Sequence, residues 1–242
     1  MLPESTQIIE EISDALVARL QPLRFGAPVH FVYNPLVYAR AAHLAYWRSC
    51  GRPPKEVLLL GMNPGPWGMV QTGVPFGDAA MVTDWLRLRV AVEGPSAQHP
   101  KRPISGFDCS RTEVSGQRLW GWARQRFDTP QRFFKRFGVA NYCPLAFMEA
   151  SGRNITPDKL SAKEKTLLFA ACDEALAATV RWLRPRIVVG VGRFAAQRAQ
   201  KVLGESDVRV GQITHPSPAN PKANSGWSAL VEIELAELGI EI

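Results

Sequence analysis

The sequence predicts an α/β fold built around a parallel sheet. Short apolar runs, each bounded by turn residues, alternate with longer segments whose apolar residues have helical spacing. This alternation is typical of βαβ units, in which a helix connects two parallel strands. The chain has 242 residues, of which 46% are hydrophobic, and its composition does not shift along its length. We therefore expect one domain over residues 1–242.

Four segments have the composition of strands. The first is the apolar run at 57–61, and each of the others also lies between turn residues. The predicted strands are 57–61, 138–142, 186–191 and 208–214.

Helical spacing occurs before, between and after these strands. The predicted helices are 6–20, 35–50, 79–92, 129–137, 161–183, 194–203 and 227–238, the first within an N-terminal segment at 1–27. Residues 94–117 are rich in Gly, Pro and Ser, so we expect a long surface loop there. Loops of this length are uncommon unless they have a function.

The charge and the cysteines limit the class of protein. A net charge of +7 favours a polyanionic partner, although such a surplus also occurs in proteins that do not bind nucleic acid. The cysteines are Cys50, Cys109, Cys143 and Cys172. They are widely spaced and form no C-x-x-C pair, so we expect a reduced chain without a metal or cofactor. With no long apolar run and a polar N-terminus, we expect a soluble, intracellular protein that does not enter a membrane.

The turn after the first predicted strand is the most informative segment. Residues 61–69 contain three glycines and two prolines, which impose an irregular backbone that a small planar ligand could approach closely. Asn63 is the only side chain in this turn with strong hydrogen-bonding groups. The alternative is a purely structural turn in which Asn63 tolerates an unusual dihedral angle.

Polar residues also end or follow the other predicted strands. Asn141 lies at the end of the second strand, Arg193 follows the third after Gly192, and His215 follows the fourth. The carboxyl ends of parallel strands line one crevice, which is where ligands bind in open α/β sheets. We therefore expect two amides and one imidazole to converge on one pocket.

Several blocks of sequence carry a family resemblance. They are GMNPGP (61–66), QTGVPFG (71–77), NYCPL (141–145), SGRNITP (151–157), GVGR (190–193) and HPSPANP (215–221). In this order they resemble the single-strand-selective monofunctional uracil-DNA glycosylases. The match covers roughly residues 35–238, and residues before about 28 contribute little to it.

The resemblance implies a three-layer α/β/α fold with a central four-stranded parallel sheet. It also implies hydrolysis of the N-glycosidic bond of uracil in DNA, without a metal or cofactor, and tolerance of oxidised uracils such as 5-hydroxymethyluracil. The products would be the free base and an abasic site. We expect DNA as the partner and a monomeric protein.

The resemblance also implies roles for individual residues. By position, Asn63 would hold the attacking water, His215 would act on the leaving base, and Asn141 would recognise uracil. Phe76 would stack on the base, and the Met62 backbone would contact it.

Residues 151–165 and 215–238 would face the DNA. The expected DNA contacts are Ser151, Gly152, Arg153, Asn154, Lys159, Lys163, Arg193, Pro216, Ser217, Pro218, Ala219, Asn220, Lys222 and Asn224.

Two positions depart from the family pattern. Trp67 stands where we expect Phe, and Ala219 stands where vertebrate members carry Arg, which leaves the strength of a wedge into the base stack open.

The chemistry of these residues is consistent with the implied reaction. The Asn141 amide matches the O4 acceptor and N3 donor of uracil, whereas cytosine reverses both. A neutral His215 can donate to O2 as charge develops on the base, provided that the correct nitrogen carries the proton. Asn63 is not basic, so departure of the base should precede attack by water. Next to Gly61 in the turn, Gly65 and Gly68 would leave space for a substituent on C5.

Other interpretations remain open. A mismatch-directed glycosylase of the same fold also carries Asn after the first strand, and a DNA-binding module could retain the fold without activity. A nucleotide-binding enzyme is disfavoured because the P-loop lysine and a G-x-G-x-x-G motif are missing. Taken alone, His215 could be a structural histidine and Phe76 a core residue.

Overall fold

A computed structural model describes residues 3–242, with side chains from residue 7 onward. Residues 1 and 2 of the N-terminal segment predicted at 1–27 lie outside the described residues. The strands are β1 (Phe31–Tyr33), β2 (Val57–Gly61), β3 (Phe137–Asn141), β4 (Ala146–Met148), β5 (Asn154–Ile155), β6 (Ile187–Val191) and β7 (Arg209–Ile213). The α-helices are α1 (Pro3–Leu20), α2 (Pro35–Tyr38), α3 (Arg40–Ser49), α4 (Met69–Thr72), α5 (Ala79–Asp84), α6 (Val114–Phe127), α7 (Pro130–Arg136), α8 (Ala162–Leu183), α9 (Arg193–Leu203), α10 (Pro221–Asn224) and α11 (Trp227–Glu237). Single 3₁₀ turns lie at Gly106–Asp108 and Pro157–Lys159.

The main sheet is parallel and four-stranded, in the order β3-β2-β6-β7. Val57 pairs with Phe137 on one side and with Ile187 on the other, and Ile187 pairs with Arg209, so the four strands begin level. Every residue of β2 and β6 is buried, as expected for a parallel sheet covered on both faces. The predicted strands are confirmed, although β3 lies one residue earlier than expected.

The helices form two groups that cover this sheet. Helices α1, α3, α8 and α9 contact one another in one group, and α5, α6, α7 and α11 do so in the other. α9 contacts β6, while α7 contacts β3 and α11 contacts β7. The predicted three-layer α/β/α class is therefore confirmed.

A small antiparallel sheet was not predicted. It has the order β1-β4-β5, with Phe31 opposite Met148 and Met148 opposite Asn154. Its strands are only two or three residues long, too short to show an alternating pattern. Its consequence for the site is that Asn154 is held on a strand rather than in a free loop.

Most predicted helices are confirmed to within a few residues, but two are wrong in extent. The helix predicted at 79–92 ends at Asp84, because the Trp85 indole turns inward to donate to the Asp128 carbonyl at 3.1 Å and Arg87 takes a left-handed φ of 58°. The helix predicted at 35–50 is broken at Ala39, whose φ of −112° is not helical.

The loop predicted at 94–117 is wrong at its end, because α6 begins at Val114. The apolar face of α6 includes Leu119, Trp120 and Ala123, each with no exposed surface. This spacing is visible in the sequence, but the Gly- and Ser-containing start of the helix reads as loop. Residues 94–113 do form an excursion, which we call the 94–113 loop.

The 94–113 loop is held against the fold by hydrogen bonds. His99 N–H donates to the Tyr33 hydroxyl at 2.6 Å, and Ser105 N–H donates to the Gln71 side-chain oxygen at 2.8 Å. None of the helices in residues 3–242 combines the length and apolar character needed to cross a membrane.

Candidate active site

The carboxyl end of the parallel sheet borders a cavity of about 300 Å³. Asn63 follows β2, Asn141 ends β3 and His215 follows β7, so all three reach this cavity from separate strands. The cavity is lined by Met62, Asn63, Pro64, Gly65, Phe76, Glu113, Ser115, Asn141, Asn154, Thr156, His215 and Ser217.

The Asn63 side chain is oriented by one hydrogen bond. Its Nδ2 donates to the Leu145 carbonyl at 3.3 Å, across the turn that follows β3. Within the described residues this is its only protein partner, so Oδ1 is available to water or a ligand. The neighbouring Met62 carbonyl accepts a hydrogen bond from Cys143 N–H at 2.9 Å, which ties the two turns together.

The Asn141 amide is packed against Gly61 and Met69. Its Nδ2 lies 3.2 Å from the Met69 sulfur, and its Oδ1 lies so close to Gly61 that a Cβ there would collide with it. The same Cβ would lie 2.6 Å from the Phe76 ring. Gly61 is therefore required for the amide and the ring to meet above the end of β2, and Met69 is a neighbour that the sequence did not reveal.

Phe76 has a backbone conformation that L-amino acids rarely adopt. Its φ is 53°, in the left-handed region, which costs about 1–3 kcal/mol. Its carbonyl accepts a hydrogen bond from Asp78 N–H at 2.8 Å and lies against Gly116, where any Cβ would collide with it. The ring packs on the core, and its centroid lies 6.1 Å from that of His215. The strained backbone thus places one side of a largely buried ring at the cavity.

His215 is neutral and has a defined tautomer. Burial lowers its pKa to about 4. Ser217 N–H donates to Nδ1 at 3.1 Å, so Nδ1 is an acceptor and the proton of the neutral ring is on Nε2. Gly192 allows this close packing, since a Cβ there would lie 3.1 Å from the Cβ of His215. The imidazole therefore offers one N–H donor to a ligand.

These positions can be compared with known proteins. The sequence model described as the Uracil DNA glycosylase superfamily matches residues 49–232. This chain belongs to the uracil DNA glycosylase superfamily. The resemblance inferred from the sequence blocks is confirmed.

Curated relatives and one solved structure agree with this membership. The single-strand selective monofunctional uracil-DNA glycosylase of Rattus norvegicus is 48% identical over 227 residues, covering 93% of this chain and 82% of that protein. The protein of that name from Bos taurus is 48% identical over 223 residues, covering 91% and 82%. The crystal structure of Pedobacter heparinus SMUG2 covers 94% of this chain and 97% of its own, with a TM-score of 0.65 and 15% identity, and it supports the fold.

Glu113 is a cavity residue of this superfamily member that the sequence did not single out. It is the N-cap residue of α6, and its backbone N–H donates to Asp78 Oδ2 at 2.9 Å. Its side chain fills the space above Gly65 and Gly68, where added Cβ atoms would collide with the carboxyl group and with Cγ. The expectation of open space above these glycines is therefore wrong. No sequence signal pointed to Glu113, because α6 itself was not predicted.

Burial raises the pKa of Glu113, and the nearby Asp78 raises it further. Backbone N–H groups oppose this effect, with Trp67 N–H at 3.4 Å from Oε2 and Ser115 N–H also donating to the carboxyl group. The cavity of this glycosylase-superfamily chain thus contains a largely buried acid that is solvated mainly by backbone.

The predicted DNA-contacting residues differ in their surroundings. Asn154 and Ser217 line the cavity directly, and the Oδ1 atom of Asn154 is buried without a hydrogen-bond partner among the described residues. Arg153 is ion-paired with Glu149, and Lys159 lies 3.3 Å from Asp158. The remaining exposed residues of the set are Ser151, Lys163, Arg193, Pro218, Ala219, Lys222 and Asn224.

Gly152, Pro216 and Asn220 are not fully exposed. Gly152 is buried with a φ of 84° and packs on His99, and Pro216 is also buried. Asn220 caps α10, accepting the Lys222 N–H at 3.2 Å.

Arg118 holds the loop at 215–224 in place. It donates to the Pro216 carbonyl at 3.0 Å and to Asn224 Oδ1 at 2.8 Å. This arginine, from the unpredicted α6, was also not expected at the site.

Trp67 carries a further group of cations. The guanidinium carbons of Arg102 and Arg111 lie 4.7 Å and 5.0 Å from its ring centroid. Arg102 also donates to the Gly152 carbonyl at 3.0 Å, which joins the 94–113 loop to the 151–157 block. We call Trp67, Arg102 and Arg111 the Trp67 patch. The larger aromatic at position 67 thus stacks with arginines from a loop to which the sequence assigned no role.

Proposed function

We propose that this protein is a monomeric DNA glycosylase that removes uracil, and oxidised uracils such as 5-hydroxymethyluracil, from DNA. It hydrolyses the N-glycosidic bond and releases the free base, leaving an abasic site. The observation that carries the proposal is that the Asn141 amide and the Nε2–H of a neutral His215 border the same cavity. The names of the curated relatives support the same activity.

Asn141 recognises the base in this proposal. Its Nδ2 donates to uracil O4 and its Oδ1 accepts from N3–H. Because Met69 and Gly61 pack against the amide, a flip of the amide to suit cytosine would bring Oδ1 against the Met69 sulfur. Cytosine would then leave buried polar groups mismatched, a penalty that can reach about 10⁴-fold in such sites.

Phe76 provides a stacking surface for the flipped base. Stacking on an aromatic ring is worth about 1–3 kcal/mol per base and does not depend on base identity. The hydrogen bonds made by Asn141 therefore supply specificity, and the ring supplies affinity.

His215 stabilises the charge that develops on the leaving base. As the glycosidic bond breaks, negative charge accumulates on uracil, and the Nε2–H donates to O2. A pKa of about 4 keeps the imidazole neutral at physiological pH. His215 therefore acts as a hydrogen-bond donor without delivering a full proton.

Asn63 positions the water. Its Nδ2 is engaged by the Leu145 carbonyl, so its Oδ1 accepts a hydrogen bond from the water. An amide cannot deprotonate water, so the base departs first, and the oriented water traps an oxocarbenium-like sugar. We expect slower turnover than in a glycosylase with Asp at this position.

The surface around the cavity binds the DNA backbone. Exposed cations lie on the 151–165 segment, at the start of α9 and on α10, and the Trp67 patch adds two arginines. The exposed Pro218 and Ala219 lie at the tip of the loop that Arg118 holds, where a wedge would enter a groove. Ala219 is small, so we expect the base stack to be filled less completely than by the arginine of vertebrate members.

Base release from defined oligonucleotides tests this function. The purified chain should release uracil from single strands and from U:A and U:G duplexes, leaving alkali-labile abasic sites. Release confined to U:G would favour the mismatch-directed alternative, and salt-sensitive binding without abasic product would favour the DNA-binding module. A borohydride-trapped DNA adduct would contradict hydrolysis that stops at the abasic site.

Removing the charge of one lysine that contacts the DNA backbone should weaken binding equally for all DNA sequences. Lys222→Gln is expected to reduce the slope of log affinity against log salt by about 0.7 to 0.9, the contribution of one phosphate contact. The matched control is Lys201→Gln, an exposed lysine in the last turn of α9, at the other end of that helix from the cavity. Equal slopes for Lys222→Gln and the wild type would remove this lysine from the DNA surface.

A further inference from the structure

The Trp67 patch concentrates positive charge on one aromatic ring. The guanidinium carbons of Arg102 and Arg111 lie 4.7 Å and 5.0 Å from the centroid of the Trp67 ring. None of the ion pairs in residues 7–242 involves either arginine. Two like charges beside the same ring repel each other, so an anion bound between them would lower the free energy of the arrangement. The patch therefore has the electrostatic character of an anion site.

The two arginines are held in place before any ligand binds. Trp67 stands where the family pattern has Phe, and an indole ring is the strongest aromatic partner for a cation. Arg102 is fixed further by the hydrogen bond from its Nε to the Gly152 carbonyl at 3.0 Å. A side chain that is already ordered loses less conformational entropy on binding. The exposed Arg111 and the partly exposed Arg102 are therefore prepared ligands for an anion.

The patch adjoins the walls of the base cavity. Trp67 N–H lies 3.4 Å from the Glu113 carboxyl, and Gly65, two residues before Trp67, lines the cavity together with Glu113. The Gly152 carbonyl joins the patch to the segment of Asn154, which also lines the cavity. A flipped base is separated from its phosphates only by one sugar. Phosphates next to a base in the cavity are therefore within reach of this surface.

Other cations on this side of the cavity are already paired with carboxylates. Arg153 is ion-paired with Glu149, and Lys159 lies 3.3 Å from Asp158. A phosphate that binds either of them must compete with the carboxylate for the same N–H donors. The arginines of the Trp67 patch have no such competitor among the described ion pairs, so they are the more readily available phosphate ligands.

We propose that the Trp67 patch is a strand-binding subsite, which binds the phosphate backbone of the DNA strand on one side of the uracil. This inference rests on the proposed function and deepens it, because it assigns one flank of the substrate strand to a surface outside the base cavity. Guanidinium groups bind phosphate oxygens through two parallel N–H donors. Because both groups lie beside one ring, they bind the same phosphate or neighbouring phosphates of the strand.

The test compares the two flanks of the substrate. Single-stranded oligonucleotides carry 2′-fluoro-2′-deoxyuridine, whose fluorine destabilises an oxocarbenium-like sugar and so prevents release of the base during the measurement. One has long flanks on both sides of this nucleotide, the second has a short 5′ flank, and the third has a short 3′ flank. Fluorescence anisotropy gives the affinity of each for wild-type protein and for Arg102→Gln/Arg111→Gln.

Shortening one of the two flanks should weaken binding to the wild type by about 10-fold, because charge-assisted hydrogen bonds to phosphate are lost. The same shortening should change the affinity of the double variant little, since the contact is already missing there. Shortening the other flank should affect both proteins equally.

Single variants measure the parts of the site. Arg111→Gln should reduce the slope of log affinity against log salt by about 0.7, the contribution of one phosphate contact on a single strand. Trp67→Phe keeps a ring but attracts cations less strongly, so it should reduce the dependence on the same flank only in part. The matched control is Arg124→Gln, an exposed arginine in the last turn of α6, at the other end of that helix from the cavity. It should keep the wild-type dependence on both flanks.

The outcomes separate this inference from folding and from the proposed function. A double variant that depends on both flanks as the wild type does overturns the inference, as does a wild type whose affinity is the same for all three oligonucleotides. If the double variant binds none of them, Arg111→Gln decides by the same criterion, because its side chain is exposed. Uracil release is measured separately on unmodified oligonucleotides. A wild type that shows the flank dependence but releases no uracil overturns the proposed function and leaves the strand-binding subsite in place.

Discussion

Asn63→Ala should lower the single-turnover rate of uracil release by about 10²- to 10³-fold while leaving the affinity for uracil-containing DNA within a few-fold of wild type. The side chain borders the cavity but lies outside the proposed contacts to the base, so its loss removes the position of the water and little else. Rapid-quench measurement of abasic product gives the rate, and fluorescence anisotropy with uracil-DNA gives the affinity.

The structure provides a check on this variant. The Asn63 side chain makes one long hydrogen bond, of 3.3 Å, to the Leu145 carbonyl. Its loss should cost little stability, about 1 kcal/mol. A rate equal to that of the wild type would remove Asn63 from the mechanism. Loss of rate and of affinity together would assign it to substrate binding.

His215→Leu should lower the single-turnover rate of uracil release by a similar factor, about 10²- to 10³-fold. The reason is that it removes the hydrogen-bond donor to the charge that develops on O2. The loss should be smaller for 5-fluorouracil than for uracil. The fluorine withdraws electrons and stabilises the departing anion, so less is required of the imidazole. Parallel single-turnover rates for the two bases measure this difference. Equal losses for both bases would argue that His215 has a structural role.

The pH profile of the wild type tests the protonation state of His215. Its folded pKa of about 4 lies below the ordinary value of 6.5, so the ring is neutral above about pH 5 and its charge does not change from there to pH 8. The rate should therefore show no rise as the pH falls through 6.5. A rise with a midpoint near 6.5 that disappears in His215→Leu would indicate an imidazolium acting as a general acid.

The main sheet was predictable from local pattern. Buried parallel strands read as continuous apolar runs, and those at β2 and β6 are bounded by turn residues, so their positions follow from sequence. The parallel direction of the strands then brings Asn63, Asn141 and His215 to the same edge of the sheet. The chemical groups at this edge were therefore predictable from the sequence.

Two of the failures concern the ends of helices. Trp85 ends α5 early through a hydrogen bond to Asp128, and α6 starts with residues that also suit a loop. In the first place a contact distant in sequence overrides the local preference, and in the second the local sequence is ambiguous. Because α6 was missed, Glu113 and Arg118 were missed with it.

By itself, the sequence determined the fold class, the family and the residue types at the carboxyl end of the sheet, because these follow from strand pattern, parallel strand direction and sequence motifs. Only the tertiary structure decided the proton position, the orientation and the surroundings of these side chains. Ser217 assigns the proton of His215, Met69 and Gly61 pin the Asn141 amide, and Glu113 fills the space over Gly65 and Gly68. The first of these is a contact between near neighbours whose geometry a sequence does not reveal, and the others join segments dozens of residues apart. The tautomer of His215, the orientation of the Asn141 amide and the volume occupied by Glu113 depend on packing. They are therefore defined only in the folded protein.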